Sequence, residues 1–305
     1  MKIYEILEDI KSPGRKKVIL DCDTNNEMDD QYAVGYVLGR PDRFDLLAMT
    51  TEHYHFGKEG DLAAGMEDSY NEFFRVMKMC HKEGAAPVYR GATTRIDEDA
   101  PYFRPVDTDS SRAIIKHVHE AGETVYIIAT GPLTNVTSAL LMDPTIKEKI
   151  CVIWLGGTCF DWDKNIDECN LWGDYAAGQI LVNSGVNFIQ LPAWSNGDGG
   201  TVQLKTSGDE FRERFTRDSD ACRFYRETLP NEYHGRPDFE HVIWDIAGPA
   251  VLTLPETFTF SVIPAPIFAD DRRYSFDRTR HKMIFMDKLD PKMILNDMFN
   301  VLGAL

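Results

Sequence analysis

The sequence predicts an α/β fold, an open and mainly parallel sheet with helices on both faces. Two features carry this expectation. Apolar runs of strand length recur along the chain, and between them lie longer segments with apolar residues at helical spacing. Strands alternating with helices form βαβ units, which bury a parallel sheet on both sides. No Ser/Gly/Pro-rich linker divides the 305 residues, so residues 1–305 read as a single domain with insertions near 90–108 and 197–236.

The elements follow in order. Val18-Ile19-Leu20 marks a buried strand over Lys17–Asp21, and Tyr32, Val34, Tyr36 and Val37 give a helix over Asp30–Gly39. Further strands are expected at Phe44–Thr51, Thr124–Ala129, Ile150–Leu155, Asn187–Leu191 and Thr257–Ile263. Helices are expected at Glu67–Glu83, Ser110–Ala121, Leu133–Met142 and Tyr175–Ser184. Gly84, Gly122 and Gly185 stand where helices should stop. Arg90–Thr108, rich in charge, Pro and aromatics, and the polar Gly197–Arg236 break this rhythm and are expected to overhang the sheet or meet a partner subunit. There is no internal repeat and no low-complexity tract.

Charge narrows the function classes. A net charge of −16 and a pI near 4.9 offer no basic stripe to polymeric nucleic acid. A nucleoside without phosphate would not be repelled. Six cysteines without paired zinc spacing suggest reduced, mostly buried thiols and a cytoplasmic setting. Met1–Gly14 lacks a signal-type apolar core, and no run approaches the length needed to span a membrane.

The chemistry concentrates at strand ends. Five acidic residues fall within Asp21–Asp30, directly after an apolar strand and before a helix. Crowded carboxylates repel unless a cation or protons hold them, and a hard ion such as Ca²⁺ or Mg²⁺ is the natural counter-charge. The alternative is a helix cap and a solvated turn. A second strand-to-helix loop, Thr130-Gly131-Pro132-Leu133-Thr134-Asn135, could turn the Thr130 carbonyl outward, although an ordinary βα turn reads the same. Glu168 and Asn170, two apart, would face one side of an extended segment and could grip vicinal hydroxyls; equally, they could satisfy the turn while Asp174 caps the helix from Tyr175. Asp245, beside Trp244 in an apolar stretch, needs a partner if buried.

In this order, Asp21-x-Asp23 with Asp29-Asp30, the Thr130–Asn135 loop, Leu155-Gly156-Gly157, Glu168-x-Asn170 and Trp244-Asp245, the chain resembles the inosine-uridine-preferring nucleoside hydrolase family across about residues 17 to 265. The resemblance implies hydrolysis of the N-glycosidic bond of ribonucleosides. It implies Ca²⁺ held by Asp23, Asp30, the Thr130 carbonyl and Asp245, with Asp23 activating water and Asp29, Glu168 and Asn170 holding ribose. Asp21 would brace the loop. Asn26, His55 and Asn165 are further candidate substrate-binding residues. The expected partner is a small nucleoside, with assembly as a homodimer or homotetramer.

Three departures from the family pattern stand out. Five residues, Thr24 to Met28, separate Asp23 from the Asp pair where three are usual. Tyr54-His55 stand where Gly-Asn is common, and Trp244 replaces a His that protonates the leaving base. Purine-preferring members resemble this last arrangement, stacking an aromatic ring on the base. Trp244 is therefore a candidate catalytic and base-binding residue. His241, one helical turn before Asp245 if the segment is helical, is a candidate substitute acid, as are His53 and His55. Two other readings compete: a nucleoside- or ribose-binding homologue without catalysis, and a haloacid-dehalogenase-like phosphotransferase, whose motif wants Thr or Val where Asn25 stands. An EF-hand fails because Asn26 and Tyr32 occupy its Gly and Glu positions.

Overall fold

The computed structural model describes residues 2–55, 60–97, 102–232 and 240–305. Its strands are β1 (Lys16–Cys22), β2 (Phe44–Thr51), β3 (Val88–Tyr89), β4 (Val125–Ala129), β5 (Ile150–Leu155), β6 (Asn187–Leu191), β7 (Lys205–Ser207), β8 (Glu240–Val242), β9 (Phe258–Pro264), β10 (Ile267–Phe268), β11 (Tyr274–Ser275) and β12 (Lys282–Leu289). Eight of them form one sheet in the order β3-β2-β1-β4-β5-β6-β12-β9. All neighbours run parallel except β9, which is antiparallel to β12.

Successive strand residues point to opposite faces, and both faces are apolar here. Leu20, Tyr126, Ile128, Cys151 and Ile153 enter one core, whereas Ile19, Val125, Ile127, Val152 and Trp154 enter the other. This is why the strands read as continuous apolar runs. The chain builds outward from β1 through β2 to β3, then returns to place β4 on the other side of β1. The strand order therefore reverses between β1 and β4, and a crevice opens beyond their carboxyl ends. The acidic loop follows β1 and the Thr130 loop follows β4.

Several elements depart from the sequence-based expectation. The strand Lys282–Leu289 sits inside the sheet although Asp287 and Lys288 interrupt its apolar run. The expected helix Glu67–Glu83 instead spans Leu62–Met79, because Asp61 accepts the Ala64 amide and starts it earlier. Gly84 lies beyond its end, whereas Gly122 and Gly185 (φ 71° and 74°) stop their helices in the left-handed conformation as expected. An N-terminal helix, Ile3–Lys11, buries Ile6 and Ile10 on one side.

The polar stretch 197–236 contributes to the core rather than only overhanging it. Its helices Gly208–Arg214 and Asp220–Glu232 bury Phe211 and Tyr225, Phe215 is buried just past the first helix, and the Tyr32 ring packs against Phe211 and Tyr225 at 5.2 and 4.8 Å. In the other insertion, Ala92 N–H donates to Asn135 Oδ1 and Ile96 N–H to Asp174 Oδ2, tying the segment to the loops after β4 and β5. Positions 98–101 and 233–236 of the two insertions lie outside the described residues.

Close packing beneath the acidic loop gives a first expected result. A Cβ on Gly35, in the helix Asp29–Gly39, would overlap the Tyr225 hydroxyl and crowd Leu302. Gly35→Ala should therefore cost about 1–3 kcal/mol through overpacking, despite alanine's better helix propensity. A denaturant melt of unchanged midpoint would show that the helix has room to move.

Candidate active site

Loops from separate parts of the chain meet in the crevice. Asp23, Asn26, Glu27, Asp29, Asp30, Thr130, Leu155, Glu168, Cys169, Asn170, Ala193, Trp194, Trp244 and Asp245 line one cleft. Carboxylate oxygens of Asp29, Asp30 and Asp245 lie within 4.8 Å of one another. No Lys or Arg is among the described lining residues. Burial, compounded by neighbouring negative charge, raises Asp23, Asp30 and Asp245 well above the usual carboxylate range. A donor set of clustered buried oxygens with no cationic side chain fits a hard divalent ion.

Hydrogen bonds hold these groups in place. Asp23 Oδ2 accepts from Asn26 Nδ2 at 3.0 Å, Asp30 Oδ1 from the Thr130 hydroxyl at 3.0 Å, and Asp29 Oδ2 from the Asp245 amide at 3.3 Å. The helix beginning at Asp29 has Met28 at its cap position, so the Asp pair is not the side-chain cap. Behind the loop, Asp21 Oδ1 accepts from Thr50 (2.6 Å) and Asn135 (3.0 Å); burial outweighs these bonds and lifts its carboxyl to about 6.

The Thr130 loop is braced from both sides. Trp154 Nε1 donates to the Gly131 carbonyl at 3.1 Å, and Asn170 Nδ2 donates to the carbonyls of Thr130 (2.8 Å) and Leu155 (3.0 Å). The Thr130 carbonyl thus carries one hydrogen bond already, and its second lone pair remains for a ligand.

Glu168 and Asn170 both line the cleft, but not as alternate residues of an extended segment. Glu168 caps the short helix Cys169–Gly173, accepting from Gly157, Asn170 and Leu171 amides at 2.7–2.8 Å. Despite three donors, burial raises it to about 7. Asp174 caps the next helix through the Ala177 amide.

The histidines are placed differently from the expectation. His241 lies in β8, paired with Thr206 of β7, so no helical turn connects it to Asp245. It is 6% exposed, outside the cleft lining, with Nε2 3.9 Å from Glu27 Oε2, and burial lowers it to about 4. His53 is buried against Thr134 at 3.2 Å and lowered by burial to about 3. His55 packs its ring on Trp172, 3.8 Å between centroids, and Asn165 is exposed. Neither lines the cleft.

Trp244 does line the cleft, from a 3₁₀ turn (Trp244–Ile246). Trp194 meets it edge to face at 4.8 Å, and Trp162 stacks behind Trp194 at 5.6 Å. Sequence reasoning missed Trp194, Glu27 and Cys169 as lining residues. For Trp194 the available signal was position, just beyond the end of β6 in a parallel sheet.

Comparison with known proteins gives a family and a fold. The family model described as inosine-uridine preferring nucleoside hydrolase matches residues 18–291. The probable uridine nucleosidase 1 of Oryza sativa subsp. japonica is 27% identical over 203 residues, covering 58% of this chain and 60% of the relative's length. Among solved structures, a plant nucleoside hydrolase (PpNRh1 enzyme) superposes with a TM-score of 0.73 at 20% identity, covering 95% of this chain and 99% of the other. A purine-preferring ribonucleoside hydrolase from Gardnerella vaginalis gives 0.72 at 21% identity, covering 95% and 98%. The match to solved structures extends the fold likeness to nearly the whole chain.

Proposed function

Starting from the membership of this chain in the inosine-uridine preferring nucleoside hydrolase family, we propose that it hydrolyses the N-glycosidic bond of ribonucleosides, with purine nucleosides preferred, and depends on Ca²⁺. The observation that carries this reading is the convergence of Asp23, Asp29, Asp30, Asp245, Thr130, Glu168 and Asn170 on one cleft. Asp30, Asp245, Asp23 and the Thr130 carbonyl would hold the ion. Bound there, Ca²⁺ supplies positive charge that favours the ionised carboxylates and attracts water and ribose oxygens.

The chain's own groups supply the rest. Asp23, steadied by Asn26, takes a proton from the water that attacks the anomeric carbon. As the bond to the base breaks, positive charge builds on the sugar and the surrounding carboxylates stabilise it. Asp29, fixed by the Asp245 amide, and Asn170 hold ribose hydroxyls. Glu168, already accepting three amides, chiefly sets the cleft wall.

The base leaves with the bond's electron pair and must gain a proton. Among the described lining residues Trp244 and Trp194 are the groups placed to stack on the base, and that stacking is the feature that favours departure. A purine offers the larger ring surface. Trp244→Leu should reduce kcat/KM for inosine about tenfold or more relative to uridine, while Trp244→Phe retains most of the preference. Equal losses on both substrates that track a fall in Tm would make Trp244 a packing residue.

Three features support the remaining expectations. One sheet from β1 to β12 supports a single domain with insertions. No helix among the described residues is long and apolar enough to cross a membrane, and the six cysteines are free thiols. The cytoplasmic setting and a homodimer or homotetramer stay part of this proposal. The family match and cleft weigh against a phosphotransferase. A non-catalytic binder is separated from a hydrolase by assaying base release from a nucleoside panel with and without chelator: release that stops with chelator and returns with Ca²⁺ supports the hydrolase, and binding without release sinks it.

A further inference from the structure

Beside the oxygen cluster lies a second group of different chemistry. Ligand atoms of Glu27, Asp29 and His241 fall within 4.8 Å of one another. Glu27 comes from the acidic loop, where two more residues than usual separate Asp23 from Asp29, and His241 comes from β8, behind Glu27 and outside the cleft lining. We propose that Glu27, Asp29 and His241 form a second cation site, selective for a borderline ion of the Zn²⁺ class, whose occupancy blocks nucleoside binding.

Three observations converge on it. Asp23, Glu27, Asp29, Asp30, Glu168 and Asp245 put six carboxyl groups into a cleft with no Lys or Arg among the described lining residues, so one divalent ion in the oxygen cluster leaves acidic groups without a counter-charge. His241 is more than nine-tenths buried, with its Nε2 3.9 Å from Glu27 Oε2. Finally, an imidazole with two carboxylates matches the three-ligand, open-position pattern of zinc sites, whereas Ca²⁺ takes oxygen donors.

The consequence for substrate rests on the proposed function. Asp29 is assigned to a ribose hydroxyl, so a cation that engages it competes with the nucleoside.

The test uses the full chain saturated with Ca²⁺ and titrated with ZnCl₂ by calorimetry, with Co²⁺ absorption as the report on ligand geometry. One Zn²⁺ per chain is expected to bind without releasing Ca²⁺. Glu27→Gln and His241→Ala should each weaken it at least tenfold, Glu27→Gln deciding the matter if the buried His241→Ala variant misfolds. Zn²⁺ should raise KM for inosine and leave kcat unchanged, and Glu27→Gln should remove that inhibition. Zinc that displaces Ca²⁺ one for one, or binds equally well to the variants, overturns the site. Because calorimetry needs no turnover, a chain that binds zinc as described but cleaves no nucleoside would refute the hydrolase reading and leave the cation site standing.

Discussion

Asp23→Asn should lower kcat by about 10²–10⁴, the range for losing a positioned general base, while Tm stays level or rises. The two halves of this result have separate causes. Catalysis falls because an amide cannot take the proton of the attacking water. Stability holds because Asp23 is buried at 2% exposure among like charges, and the Coulombic push of Asp30 and Glu27 raises its carboxyl further; removing one charge relieves that repulsion. Asn26 can still hydrogen-bond the new side chain, because its Nδ2 donates to an Asp23 oxygen that the amide's carbonyl can replace. Stopped-assay kinetics and a thermal melt on the same preparation check both. A variant with parental turnover would strip Asp23 of its role, and a variant that loses turnover only by unfolding would make that role structural.

Calcium removal should produce the second large effect, and it should depend on pH in a definite direction. Asp21, Asp23, Asp30 and Asp245 all have folded pKa values above that of a free Asp, with burial the leading cause. Above about pH 4 the unfolded chain has released protons that the metal-free fold still holds. The fold then binds more protons than the unfolded chain, so these groups stabilise it at low pH, and their contribution is lost as pH rises through the folded values, for Asp21 about 6. A bound divalent ion removes this penalty by supplying the opposing charge. The gap in Tm between calcium-saturated and chelated protein should therefore widen from about pH 5 to about pH 8. Ion at a hundredfold excess over Kd adds about 2.7 kcal/mol, so the gap at the higher pH should reach about 5 °C or more. A gap that shrinks with rising pH would mean that Asp23, Asp30 and Asp245 are not the ligands.

The parts of the molecule that are legible in the sequence share a physical origin. Strands buried on both faces must be apolar throughout, which makes β1, β2, β4, β5 and β6 visible to within one or two residues, and the half-buried edge strand β9 is visible through its β-branched and aromatic residues. The same logic hides β12, where Asp287 is matched by the Ser261 hydroxyl of β9 at 2.7 Å and thereby tolerated in the sheet. Loops at the carboxyl ends of parallel strands gather at one edge, so the amino-acid order alone suffices to group Asp23, Asp30 and Thr130. Asp245 joins them through the 3₁₀ turn at Trp244–Ile246.

Illegible residues depend on distant contacts. His241 reads as helical beside Asp245 because nothing local reveals its pairing with Thr206. His55 stands at the register of a ribose contact, yet its ring is taken by Trp172, more than a hundred positions away. Trp194 carries no motif at all. Phe211, Phe215 and Tyr225 look like part of a polar excursion because charged neighbours dilute their spacing, and only the facing Tyr32 and Phe299 complete their packing.

The Asn170 side chain joins β4 and β5 at their ends through two backbone oxygens, those of Thr130 and Leu155. A peptide oxygen is the same acceptor whatever side chain its residue bears. The distance between these two strand ends is consequently indifferent to which amino acids occupy the strands, provided that the amide remains. Mutational drift can rewrite the hydrophobic layers of β4 and β5 while the cleft keeps its width, so the aperture of this site is inherited separately from the composition of the sheet beneath it.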